Sequence, residues 1–207
     1  MINTDNPRVL KRFIIYMAAL TFVFYTGSWV YKEISAPSNG DMEVRRGDIL
    51  LTDGKYEKAI LAFDQALKIS PNHRGALGGK AVALMGMGEN DRAEQTLTYL
   101  IEYLKTSLTP DDNTGRGALA AAYANRAILK DRQGRYQSAL DDYILSAKTD
   151  LDLADGPGVM DRIIYYDKKP SSVIARARYL YKQLKLPESE RIMRIPEEDA
   201  KQRLYKP

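Results

Sequence analysis

Three segments of this chain repeat one local pattern. Gly54-Lys55-Tyr56-Glu57-Lys58-Ala59, Gly88-Glu89-Asn90-Asp91-Arg92-Ala93 and Gly134-Arg135-Tyr136-Gln137-Ser138-Ala139 each place Ala five residues after Gly. The first two copies start 34 residues apart; the third follows after 46, one further period plus a 12-residue insertion. Each Gly ends a helix-periodic stretch, where a left-handed C-terminal cap costs glycine little. Each Ala opens the next stretch at a point where a larger side chain would hold two helices apart. A period of this length predicts stacked helix pairs. One pair cannot hide its apolar face, whereas neighbours stacked on it give a continuous core.

On these residues the chain resembles the tetratricopeptide repeat family. In the first copy, Gly40 to His73, Gly47, Ala59, Phe63, Ala66 and Pro71 occupy the family's small, small, aromatic, small and helix-ending positions. Leu50 replaces the usual Tyr, and Glu43 and Arg46 depart from the family pattern, which suits an array end with no preceding repeat. The second copy, Arg74 to Ser107, keeps Leu77, Ala81, Leu84, Ala93, Leu97 and Leu100, with Lys105 in place of the helix-ending Pro. The third, Ala120 to Leu153, keeps Tyr123, Ala127, Ala139 and Tyr143, and departs at Lys130, Ser146 and Leu151. The resemblance covers about half the chain and implies an all-α fold, an α-solenoid of three helix hairpins over residues 41–153. The insertion near residues 106–117 carries the turn formers Pro110, Asp111, Asp112, Asn113 and Gly115. It is expected to lengthen the connection between the second and third hairpins, as a tolerated surface loop or as a partner contact.

Residues 154–207 read as capping helices and a basic tail. Pro170-Ser171-Ser172 opens a helix through Leu186, with Ser171 or Ser172 as N-cap. Val173, Ala177, Leu180 and Leu184 form its apolar stripe. A shorter helix is expected over Pro157 to Tyr166 and a last one over Glu197 to Tyr205, with Pro196 in its first turn. Tyr165, Tyr166, Tyr179 and Tyr181 cluster here, for core packing or for an interface.

Ahead of the array, residues 13–31 read FIIYMAALTFVFYTGSWVY, 19 residues without a charge. As a helix that run spans roughly 28 Å, close to a bilayer's hydrocarbon core. Trp29 and Tyr31 lie at its far end, where aromatic rings favour headgroups. Arg8, Lys11 and Arg12 precede it, so residues 1–12 are expected in the cytoplasm, with the array in the periplasm of a bacterial inner membrane. A cleaved signal peptide, with Thr26-Gly27-Ser28 near the cleavage point, and a buried soluble helix are the alternatives. Residues 32–40 form a linker; its turn-forming part, Ser35 to Gly40, spans at most about 20 Å.

The family resemblance also implies a concave surface lined by the first helix of each pair. Its sites fall on Asp41, Val44, Asp48 and Leu51, then on Gly75, Gly78, Val82 and Met85, then on Ala121, Ala124, Ile128 and Asp131. The Lys, Asn and Arg with which some relatives grip a terminal carboxylate are missing at these places, so that activity is not carried over. A small, apolar groove with acidic ends favours an apolar helix or an extended segment, from a partner or from this chain's own tail, and an unoccupied groove stays open as a third case.

Net charge is +4, and residues 158–207 alone carry +5, leaving the remainder close to neutral. That falls short of a nucleic-acid binder. Arg176, Arg178, Lys182 and Lys185 form either an ordinary solvated face or a basic docking surface. The chain has no cysteine and one histidine, so thiolate metal sites and multi-histidine centres are excluded, and no metal or cofactor is expected. His73 is read as a solvated turn residue. Asp141-Asp142 and Asp150, Asp152 and Asp155 are read as a solvated acidic face, off the spacing of a calcium loop. No catalytic set and no small-molecule substrate emerge. The expectation is a non-catalytic, membrane-anchored scaffold or adaptor that binds and helps assemble an inner-membrane or periplasmic complex. The alternative is a membrane-tethered periplasmic chaperone.

Overall fold

The computed structural model describes residues 7–34, 39–156, 172–199, 202, 204 and 205. The chain forms two compact units, Met1–Ser38 and Asn39–Pro207. The first consists of α1 (Pro7–Ile34), 28 residues and therefore about 42 Å long. It is long and apolar enough to cross a membrane, and its apolar window Arg8–Trp29 has no buried residue. Its hydroxyls are satisfied within the helix: Thr21 donates to the Met17 carbonyl at 2.7 Å and Thr26 to that of Phe22 at 2.8 Å. The helix extends beyond the uncharged run at both ends.

Every regular element among the described residues of the second unit is a helix. Its elements are α2 (Asp41–Thr52), α3 (Tyr56–Ile69), α4 (Arg74–Gly86), α5 (Asn90–Ser107), α6 (Asn113–Arg132), α7 (Tyr136–Thr149), α8 (Leu151–Asp155), α9 (Val173–Leu184), a 3-10 turn at Glu188–Glu190 and α10 (Pro196–Asp199). Successive helices from α2 to α7 pack on one another, and the first helices of the hairpins, α2, α4 and α6, also touch in sequence. That is the stacking that the 34-residue period predicts.

The three hairpin turns share one geometry. Gly54, Gly88 and Gly134 have φ of 71°, 77° and 78°. The next residue's N–H closes each turn onto the first helix: Lys55 onto Leu50 at 2.8 Å, Glu89 onto Leu84 at 2.9 Å, Arg135 onto Lys130 at 2.9 Å. This left-handed closure satisfies helix-end carbonyls. Ala59, Ala93 and Ala139 are fully buried at the close crossings.

Phe63 is the wedge of the first interface and is fully buried. A Cβ on Gly47 would lie 2.5 Å from its ring, and one on Gly79 2.4 Å. The ring therefore sits between two helices that carry no side chain at those points.

The insertion departs from the expected long loop. α5 runs to Ser107 and α6 starts at Asn113, so only Leu108–Asp112 is non-helical. Asp112 caps α6 by accepting the Gly115 N–H at 2.7 Å, which lets the helix begin well before the expected Ala120. Gly115 and the anion at Asp112 sit beside Arg74, whose guanidinium donates to that carboxylate at 2.7 Å.

In the cap, Ser172 is the N-cap of α9, accepting from Ala175 N–H at 3.3 Å. Val173 and Leu180 are buried, and α9 packs on α7 and α8. The helix ends at Leu184, two residues short of the expected end. The short helix expected at Pro157–Tyr166, with Tyr165 and Tyr166, lies outside the described residues. Of the helix expected over Glu197–Tyr205, Pro196–Asp199 is helical, and Gln202, Leu204 and Tyr205 are not. The backbone polar groups of Tyr205 bond to another element, described next.

Candidate functional site: the inner face of the array and its tail

The inner face is built by α2, α4 and α6. Of the eleven residues Val44, Asp48, Leu51, Gly75, Gly78, Val82, Met85, Ala121, Ala124, Ile128 and Asp131, the structure buries Leu51, Gly78, Val82, Met85, Ala121, Ala124, Ile128 and Asp131. Val44, Asp48 and Gly75 are half-buried. The face expected to be small and apolar with acidic ends is largely packed, most completely along α6.

Part of the cover at α6 is the chain's own C-terminal segment. Asn125, only 1% exposed, donates from Nδ2 to the Tyr205 carbonyl at 2.6 Å and accepts the Tyr205 N–H on Oδ1 at 2.7 Å. Leu204 and Tyr205 pack against the hydrophobic core. Gln202 donates to Asp131 at 3.0 Å. Burial raises the Tyr205 phenol's pKa, partly offset by a hydrogen bond with the Val173 backbone. The tail thus lies against the third hairpin, at Asn125 and Asp131.

Asp131 lies at the centre of this contact and is fully buried. Arg176 grips it with two bonds, Nε to Oδ2 at 2.7 Å and Nη2 to Oδ1 at 2.8 Å. Tyr143 donates to it at 3.1 Å. Burial disfavours the Arg176 cation, but the bonds to Asp131 and the nearby Asp199 outweigh this and raise its pKa. Burial first, then the Asp131 charge, holds the Tyr143 phenol well above the usual range. Arg176 is thus turned inward, with a side chain 9% exposed, and does not belong to a basic outer surface. Arg178, Lys182 and Lys185 are exposed, Lys185 lying 4.2 Å from the Tyr181 ring centroid.

Two readings of charged residues change. His73 is not a solvated turn residue: its side chain is 12% exposed, and it joins the first two hairpins. Its Nδ1 accepts the Ala76 N–H at 3.3 Å, which caps α4 and leaves Nε2 to bond Asp41 at 2.8 Å. Asp142 is not on a solvated face either; it is 3% exposed between α6 and α7. Arg126 holds it bidentately at 2.8 Å and Lys130 at 2.7 Å. Burial opposes the Arg126 charge, and the bond to Asp142 more than compensates, raising its pKa. Across the neighbouring turn Arg135 binds Glu94 at 3.0 Å, and that hydrogen bond depresses the Glu94 pKa. Sequence reasoning missed this set because Lys130 and Asp142 look like ordinary polar residues until two helices face each other. The one available signal was Lys130, at a position where the family pattern asks for something else.

Among the described residues no group of three or more histidine, aspartate or glutamate side chains is placed to hold a metal ion. The carboxylates at the site's centre are neutralised by arginine and lysine, an arrangement that fixes helices rather than moving protons.

Comparison with known proteins agrees with the repeat pattern. The tetratricopeptide repeat family model matches residues 50–105, from the first hairpin to the end of the second. No curated protein matches the chain. Repeats of this family are typically non-catalytic and act in protein–protein interaction.

Proposed function

We propose, from the premise that this chain is a tetratricopeptide repeat protein, that it is a membrane-anchored, non-catalytic scaffold. It holds or helps assemble a protein complex at an inner membrane, with its amino terminus in the cytoplasm and its array in the periplasm. The observation that carries the reading is α1: a 28-residue helix whose apolar window has no buried residue, ahead of a unit with its own core. Phe13, Phe22, Phe24, Tyr25 and Trp29 are all exposed on it, a surface water would not tolerate in a free helix. The basic residues Arg8, Lys11 and Arg12 set the orientation. The half-buried stretch of the inner face, Val44, Asp48 and Gly75, is where a partner segment meets the first two hairpins. Arg178, Lys182 and Lys185 provide a second, basic contact on the cap.

The test is purification of the tagged full chain from native membranes in mild detergent. One stoichiometric partner is the expected result. Many substoichiometric clients would indicate a chaperone instead, and a chain that washes out of membranes at high pH would remove the anchor.

A further inference from the structure

The outward face of α2 is the uncovered end of the array. Met42, Arg45, Arg46 and Ile49 recur at helical spacing and are all exposed, Met42 by 69% and Ile49 by 64%. The same register in the next hairpins is covered: Gly79 lies against Phe63 of the hairpin before it, and Asn125 against Tyr205 of the tail. Met42 corresponds to Ala76 and Ala122, at 0% and 2% exposure; Ile49 corresponds to Ala83 and Leu129, at 0% and 1%. Arg45 stands where buried Gly79 and Asn125 stand. Arg46 stands where Lys80 and Arg126 stand, and these bind Asp64 at 2.6 Å and Asp142 at 2.8 Å. Neither Arg45 nor Arg46 makes an ion pair among the described residues. Asp53, at the end of the stripe, is paired with Lys55 at 2.9 Å.

This composition selects among occupants. A further hairpin would need a small residue at position 42, where the later hairpins have the buried Ala76 and Ala122, and Met stands there instead. A second copy meeting the stripe face to face would bring four guanidinium groups together. Two long apolar side chains flanking two arginines instead match the boundary between acyl chains and anionic headgroups, where arginine stems lie along apolar surface and their heads meet phosphate. The chain supplies proximity: only residues 35–39 separate α1 from Gly40, the N-cap of α2, a span of at most about 20 Å.

We infer that the Met42–Arg45–Arg46–Ile49 face of α2 docks on anionic lipid headgroups, laying the first hairpin against the bilayer surface. This rests on the anchoring proposed above.

The absence of cysteine makes the test direct. Full-length Ile49→Cys and, as a control at the other end of the array, Ser138→Cys are labelled with an environment-sensitive fluorophore. Each is inserted into preformed phosphatidylcholine vesicles with or without phosphatidylglycerol. With phosphatidylglycerol, the probe at position 49 is expected to be quenched by a lipid-borne nitroxide and shielded from aqueous iodide, and the probe at 138 is not. High salt and the Arg45→Glu/Arg46→Glu variant should each abolish the difference, with circular dichroism unchanged. Equal iodide access at the two positions overturns the inference, as does shielding indifferent to the Arg substitutions. Shielding seen only in native membranes assigns the face to a protein and also overturns it. Flotation reads the anchor separately: protein that fails to float with any vesicle defeats the anchoring and the docking together, whereas protein that floats with position 49 exposed defeats the docking alone.

Discussion

Asn125 holds Tyr205 by both of its backbone polar groups, giving a proton to the carbonyl at 2.6 Å and taking one from the N–H at 2.7 Å across 80 residues of sequence. A side-chain amide has the donor and acceptor spacing of a peptide unit, so it pairs with an extended main chain as a neighbouring strand would. The pairing ignores the identity of the residue it holds. Its burial is what makes it strong, because either partner alone would leave desolvated groups unmet.

Replacing Asn125 by Ala should therefore free the tail. We expect a loss of about 1–3 kcal/mol in unfolding free energy and faster hydrogen exchange at the Tyr205 amide, with α2 to α5 exchanging as before. Unchanged protection at Tyr205 would show that the tail is held by its apolar contacts and the Gln202–Asp131 bond.

Phe63 makes a second sharp prediction. Gly79→Ala places a Cβ about where the ring now sits, and overpacking of this kind costs about 1–3 kcal/mol. Gly47→Ala acts on the opposite side of the same ring. Phe63→Leu should partly rescue either alanine variant, because it removes the colliding atoms. Denaturant midpoints of the single and double variants check this; additive losses would locate the damage elsewhere.

The Asp131–Arg176 pair should behave as a buried ion pair. Arg176→Met leaves a fully buried carboxylate with only Tyr143 and Gln202 as donors, and a loss of about 3–5 kcal/mol is expected. The double variant Asp131→Leu/Arg176→Met should lose less than Arg176→Met alone. A double variant worse than the single would show that the pair stabilises beyond its own desolvation.

The tyrosines predict alkaline instability. Burial and the Asp131 charge raise the folded-state pKa of Tyr143, and burial raises those of Tyr123 and Tyr205. A phenol whose folded pKa lies above its unfolded value contributes stability that is complete below the unfolded pKa of about 10 and is lost as pH rises beyond it. Unfolding midpoints should fall steadily above that pH, and Tyr143→Phe should flatten the fall. A slope identical in the variant would assign the effect to the other two phenols.

The inner-face residues show how structure redirects an experiment. Gly78 and Ala124 look, from sequence, like open positions suited to blocking with Trp. Both are buried, so Trp there would disrupt the fold rather than a groove. Val44 and Asp48, half-buried on α2, are the positions where blocking and unfolding separate.

The chain's local chemistry was enough to determine its repeating frame. Glycine's tolerance of positive φ, the size limit at Ala59, Ala93 and Ala139, and the uncharged length of residues 13–31 are properties of neighbours in sequence. They are readable without coordinates because each acts within one helix or one turn. The tertiary structure alone decided where the charges go and what fills the inner face. Asp131, Asp142, Arg176 and His73 have polar side chains that look solvated in any one-dimensional reading. They are drawn out of solvent only because residues 12 to 71 positions away bring the opposite charge or the missing donor. The local pattern likewise favours a helix through Tyr205, whereas Asn125 gives that backbone a partner that no local pattern contains.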